Sequence, residues 1–213
     1  IVDANASKPV LAAASELKNY LGKVTGASFQ IINTVADNSS AARILVGRSA
    51  EVDKLMPGFD WASLKQDGIV IKTVGNHLIL AGGEPRGTLN AVHTFLEDTV
   101  GCRWWTPDAE YVPKEPKLSV PELNTVYTPQ FAYRETFWKS VASGKNPEFC
   151  TRLKLNGHFN AIPANLGGHY TILGWCHTFN MLIPPSEYFE KHPEWYSEIG
   201  GRRIAENAQL CLT

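Results

Sequence analysis

The sequence predicts an α+β domain, a sheet with two helices on one face, followed by the opening of a parallel β/α barrel. Three observations carry that prediction. Residues 87–107, GTLNAVHTFLEDTVGCRWWTP, place Leu89, Val92, Phe95, Leu96 and Val100 at helical spacing and then turn into a short aromatic strand. Residues 68–74 and 77–81 are β-rich runs separated by Gly75-Asn76, a two-residue spacing that reads as a hairpin. After Pro129, a β-rich run at 131–138, a helical pattern at 147–156 and a second β-rich run at 159–164 give the β-α-β succession with which a parallel barrel begins.

Ser7 is placed to cap a first helix in which Val10, Ala13, Ala14, Leu17, Leu21 and Val24 form one apolar face, ending near Gly26. Strands are expected at 28–33 and 42–48, separated by the polar turn ADNSS, and then at the hairpin. The second helix starts near Pro85 and stops at Gly101, which supplies the left-handed residue that ends a helix. Residues 102–105 are bulky and strand-like, so Trp104 and Trp105 face opposite ways and at least one packs inward. The run GGEPRG at 82–87 has the look of an anion-cradling loop. It lacks Gly-Lys-Ser/Thr and the G-x-G-x-x-G order, which favours a plain strand-to-helix turn.

Between 108 and 128 the composition shifts toward proline, and Lys117 to Val120 alternate, as in a connector with edge strands. The expected organisation is therefore 1–121 as the α+β accessory domain and 122–213 as the start of a (β/α)8 TIM-like barrel. A helix at 185–191, a hairpin over Gly200-Gly201 and a last apolar strand at 210–212 complete the second part. A barrel of this type takes about 250 residues, whereas 129–213 provides 85. The barrel cannot close within this chain, so the chain is expected to be an N-terminal fragment of a larger protein.

With 213 residues, 44% hydrophobic content and a formal charge of −1, the chain has ample core and no basic patch for a nucleic acid. No apolar run approaches the ~20 residues of a membrane helix. The four cysteines, 102, 150, 176 and 211, lie too far apart for a zinc knuckle or a redox pair and are expected as free, mostly buried thiols. No G-x-S-x-G elbow marks a serine hydrolase.

The helix ending in Gly-Cys-Arg-Trp at 101–104 resembles the non-catalytic N-terminal domain of bacterial α-glucuronidases and β-hexosaminidases, which precedes a (β/α)8 barrel. Together with PQFAYRETFW at 129–138, GWCHTFNMLIPPSEYFEKHPEWYSEIGGRR at 174–203 and QLCLT at 209–213, the chain resembles glycoside hydrolase family 163. That resemblance implies a secreted or periplasmic bacterial glycoside hydrolase, with its signal peptide removed, acting as an endo-β-N-acetylglucosaminidase on N-glycans. The alternatives are an α-glucuronidase or another hexosaminidase on the same scaffold, or a non-catalytic carbohydrate-binding protein. An oligosaccharide is the implied partner, with no cofactor.

Glycoside hydrolysis uses two carboxyl groups flanking the scissile bond, about 5 Å apart for retention and farther for inversion. After Asp108 the chain has no aspartate, and the glutamates at 135, 148, 187, 190, 194, 198 and 206 mostly fall on predicted helix or hairpin surfaces. No catalytic pair is therefore expected in this fragment. Arg134, at the end of the first predicted barrel strand, can fork to sugar hydroxyls or a carboxylate, or else pair with a neighbouring acid. Trp138 and Trp175 offer indole faces on which a sugar can stack, and His177 and His169 offer hydrogen bonds to its hydroxyls. The spacing of the two histidines, with no carboxylate to complete a set, argues against a metal.

Overall fold

In the computed structural model, which describes residues 1–33, 41–142, 144–174, 178–205 and 210, the chain divides into two units, Ile1–Tyr170 and Thr171–Thr213. The first begins with α1 (Lys8–Thr25), whose six predicted apolar residues are all buried and which stops at Gly26 in the left-handed conformation, φ 74°. Ser7 stands at the N-cap but makes no capping bond; its hydroxyl instead donates to Glu84 at 3.0 Å.

The sheet contains β1 (Ile44–Val46), β2 (Ile69–Val74), β3 (His77–Gly82) and β6 (Asn124–Tyr127), in the order β1-β3-β2-β6. β2 and β3 form the hairpin, closed by Val74 opposite His77 with Gly75 at φ 59°; β1 runs parallel to β3, and β6 antiparallel to β2. Alternation along the strands divides the core into two layers. Val46, Ile69, Ile71, Leu78 and Leu80 face α1 and α3 (Gly87–Thr94), so the two predicted helices do share one side. Leu45, Val70, Ile79 and Ala81 face the other way, against Val52 of α2 (Ala50–Leu55), Met56 and Leu64. Short α2 covers a face that the sequence reading left bare.

Beyond α3 the helix widens into a π turn at Phe95–Val100 and stops at Gly101, φ 92°. Next come β4 (Arg103–Thr106) and β5 (Ala109–Tyr111), then α4 (Lys139–Ala142) and α5 (Pro147–Arg152). Trp104 is buried and donates from Nε1 to the Tyr20 hydroxyl at 2.8 Å, whereas Trp105 is 63% exposed. Cys102 and Cys150 are free and buried, and burial pushes both thiols up to about 11. Cys176, Cys211 and the ADNSS turn lie outside the described residues.

Several expectations are corrected. Residues 28–33 form no strand, and β4 pairs with β5 in its own two-stranded sheet instead of joining the main one. The edge strand of the connector is β6, not 117–120. Residues 131–138 and 159–164 form no strands; 158–160 and 164–166 are 3-10 turns. The backbone of 131–138 is satisfied locally: Asn156 accepts from the Arg134 N–H at 2.8 Å and donates to the Ala132 carbonyl at 2.8 Å. Among the described residues after Pro129 no parallel strands pair, so those residues build no part of a barrel sheet. Residues 122–170 lie within the first unit, with β6 inside its sheet.

The second unit holds α6 (Phe179–Leu182), α7 (Pro185–Tyr188) and the two-residue strands β7 (Glu198–Ile199) and β8 (Arg202–Arg203), paired over Gly200-Gly201 as predicted. Tyr196 is its buried anchor, donating its hydroxyl to the Ile183 carbonyl at 3.1 Å. Leu210 bridges to Tyr196; the rest of the predicted last strand lies outside the described residues.

The turn from β3 into α3 is held by backbone contact. A Cβ on Gly87 would sit 2.2 Å from the Gly68 carbonyl oxygen, and one on Gly82 2.3 Å from the Gly87 backbone. Three of its N–H groups are committed to protein acceptors, Gly83 to Gly68 at 2.9 Å and both Arg86 and Gly87 to Gln66 at 3.1 Å. The N–H groups at the head of α3 are therefore closed to an anion. Gly87→Ala is expected to destabilise the unit by more than about 2 kcal/mol, read as a lower midpoint in urea denaturation.

Candidate functional site

Asp67 ends the segment that leads into β2 and is held against the start of α3, where its side chain is 8% exposed. Arg86, at the head of α3, grips it with both arms, Nε to Oδ1 at 2.8 Å and Nη2 to Oδ2 at 2.9 Å. Arg134, far along the chain, donates from Nη2 to the same Oδ1 at 2.8 Å. Burial pushes the Asp67 carboxyl up, but hydrogen bonds and charge from Arg86 and Arg134 outweigh it and hold the group below the usual carboxylate range. Gln66 Oε1 accepts from Arg86 Nη2 at 2.8 Å and from the Tyr170 hydroxyl at 3.2 Å, while the Arg86 guanidinium lies 5.1 Å above the Tyr170 ring. Two guanidiniums share one carboxylate, so the cluster carries a net positive charge.

This cluster is the wall between two clefts. One, of about 290 Å³, is bordered by Lys65, Gln66, Phe131, Arg134 and Tyr170. The other, of about 260 Å³, is more apolar and is lined by Ile69, Tyr127, Leu153 and Leu155 as well as Arg134.

A second polar cluster joins α1, α3, α5 and the β4–β5 hairpin. Arg152 Nε donates to Glu16 Oε1 at 2.7 Å, and the Arg152 guanidinium sits 5.4 Å from the Tyr20 ring and 5.9 Å from the Trp104 ring. Fully buried His93 donates from Nδ1 to the Thr151 carbonyl, 3.0 Å away, with Nε2 at 3.6 Å from Glu16, beyond hydrogen-bond reach. Burial lowers the His93 pKa, against the upward pull of the facing Glu16 carboxylate. Burial pushes Glu16 up, but the contacts with His93 and Arg152 together bring it down to about 2. Tyr20 closes the cluster by donating to Glu110, which also takes Lys23 at 2.8 Å.

Of the residues singled out in the sequence, Arg134 takes the pairing course. Besides Asp67 it donates from Nε to the Lys154 carbonyl and from Nη1 to the Phe131 carbonyl, both at 2.9 Å. Trp138 is 49% exposed, and its carbonyl accepts from the Val141 and Ala142 N–H groups at the head of α4. His169 Nδ1 lies 2.8 Å from the Ile162 carbonyl. Trp175 and His177 lie outside the described residues. Glu135 is not a solvated surface acid: it accepts from the Tyr133 hydroxyl at 2.7 Å and from the Phe159 N–H at 2.6 Å. Among the described residues no three His, Cys, Asp or Glu side chains gather as for a metal, and no helix is long and apolar enough to cross a membrane.

Residues 104–213, just over half the chain, match the family described as a domain of unknown function, DUF4838. Residues 1–95 match the glycosyl hydrolase family 67 N-terminus. A solved structure of a family GH115 4-O-methyl-alpha-glucuronidase with specificity for decorated arabinogalactans is similar in fold, with a TM-score of 0.53 and 17% identity. The likeness covers 80% of this chain and 28% of that one, so this chain spans under a third of its structural relative. No curated protein matches.

Two outcomes test the clusters. Asp67→Asn leaves both guanidiniums without an anion and is expected to lower stability by about 3 kcal/mol, measured by chemical denaturation. For Glu16, whose folded pKa of about 2 lies below the ordinary 4.5, the unfolded chain takes up a proton first as pH falls. Stability present above pH 4.5 is therefore lost between 4.5 and 2, and Glu16→Gln should flatten that part of a melting-temperature profile.

Proposed function

The chain belongs to the DUF4838 family, and from that premise we propose that it is the leading part of a glycoside hydrolase that acts on a uronic-acid-bearing glycan, an enzyme of α-glucuronidase type. The observation that carries this reading is the family 67 N-terminus match over residues 1–95, joined by the fold likeness to an α-glucuronidase. Neither comparison names an N-acetylglucosaminidase, so the α-glucuronidase reading stands ahead of the family 163 one.

In this reading the first unit is an accessory scaffold, and the carboxyl pair that handles protons is not among these residues. A general acid must hold its proton near neutrality, which calls for a raised pKa. Glu16, Asp67, Glu110 and Glu194 all depart from ordinary values downward, the direction that hydrogen bonds and positive charge give. Trp138 and His169 in the first unit, and Trp175 and His177, are proposed sugar contacts, by stacking and by hydrogen bonding respectively. An extracytoplasmic location suits an enzyme that meets polymeric glycans.

The test compares products released from glucuronoxylan, decorated arabinogalactan and complex N-glycans by a polypeptide extended through the catalytic region. Release of a glucuronic acid is expected. Cleavage of N-glycans alone would restore the endo-β-N-acetylglucosaminidase reading, and binding without any cleavage would favour a carbohydrate-binding protein. The 213-residue chain alone is expected to show no turnover on any of the three.

A further inference from the structure

The cleft of about 290 Å³ beside Asp67 has a chemistry that the accessory-scaffold reading does not use. Asp67 is the one carboxylate among the residues lining it, and both of its oxygens are taken by Arg86 and Arg134. Arg134 brings a second guanidinium to a carboxylate that Arg86 already neutralises, and exposed Lys65 adds a further positive charge at the rim. The surplus charge faces a concave surface rather than open solvent, where a bound anion is screened less.

The donors are oriented as well. Because Gln66 Oε1 accepts from both Arg86 and Tyr170, the amide is turned so that its NH2 group is left without an acceptor among the described residues. Arg134 spends its Nε and Nη1 on backbone carbonyls and one Nη2 hydrogen on Asp67, which leaves the second Nη2 hydrogen available. Next to these donors stands Phe131, 76% exposed, an aromatic face of the kind on which the C–H groups of a sugar ring stack. Positive charge, amide donors and a bare aromatic ring in one cleft match a ligand with a carboxylate at one end and a sugar ring at the other. The volume lies near the low end of small-molecule sites, ~300 Å³, which suits one ring rather than a chain.

We propose that this cleft is a binding site for a single uronic acid residue of a glycan, with Lys65, Gln66 and Arg134 meeting the carboxylate and Phe131 the ring. The choice of a uronic acid over other carboxylated sugars rests on the α-glucuronidase reading above; the cleft's preference for an anionic saccharide rests on its own geometry.

Isothermal titration of the 213-residue chain with methyl α-D-glucuronide, methyl α-D-glucoside, acetate and sulfate tests it, without dependence on hydrolysis. Saturable binding of the glucuronide at about millimolar affinity is expected, at least tenfold tighter than the glucoside or acetate, and weakened by added salt. Lys65→Gln and Phe131→Ala change exposed side chains and so preserve the fold; each is expected to weaken the glucuronide at least fivefold. No saturable binding, equal binding of the glucoside, sulfate binding as tightly as the glucuronide, or unchanged affinity in both variants would each overturn the proposal. Glucuronide binding by this chain without release of uronic acid by the extended polypeptide would leave the site standing and remove the enzyme reading; release without binding would do the reverse.

Discussion

One carboxylate organises the first unit. Asp67 sits between the strand that leads the hairpin and the helix that covers it, and it takes three charge-assisted hydrogen bonds from two arginines that lie 19 and 67 residues away. A buried carboxylate is tolerable only when paired; here the pairing partner from the far segment, Arg134, is the one that secures residues after Pro129 against the accessory sheet. Glu16 repeats the arrangement toward the other end of α3, beside His93, holding Arg152 of α5 across 136 residues. Together the two acids explain why the first unit runs through to Tyr170 instead of ending at the proline-rich connector.

The features legible in the sequence were those with a local period or a local stop. α1 shows its six apolar positions at helical spacing, the β2–β3 hairpin its Gly75-Asn76, and the long helical segment its Gly101 terminus. The β4–β5 hairpin and β6 were misplaced because a β-rich run announces a strand without naming its partner. Val126 and Tyr127 on β6 carry no periodic signal that ties them to Ile69 and Val70. The same limit undid the strand expected at 131–138, where Asn156 supplies the hydrogen bonds a neighbouring strand would have supplied. Arg134 was legible as a residue of interest, yet its partner was not, since an ion pair across 67 residues leaves no pattern. An aspartate abutting the apolar run at the start of β2 is the one trace that pointed toward it.

For function, the division of labour follows from the same packing. In the first unit Asp67 and Glu16, the two acids that bridge distant segments, are spent on arginines. The GH115 likeness is one of fold, and the family 67 N-terminus match covers residues 1–95 of the first unit. The surplus arginine charge borders a cleft in the same unit, the site proposed above for an anionic sugar.

The central claim is that residues 129–170 are fastened to the accessory sheet and fold with it as one body. Native-state hydrogen exchange of the 213-residue chain measures this directly, since amides that open only by unfolding of a shared unit share one free energy. The N–H groups of Asn156 and Tyr170, bonded to Arg134 and Asn156 carbonyls, are predicted to exchange with the same opening free energy as those of Ile71 and Leu80 in the sheet. Exchange of Asn156 and Tyr170 through a much cheaper local opening, with the sheet still protected, would contradict it.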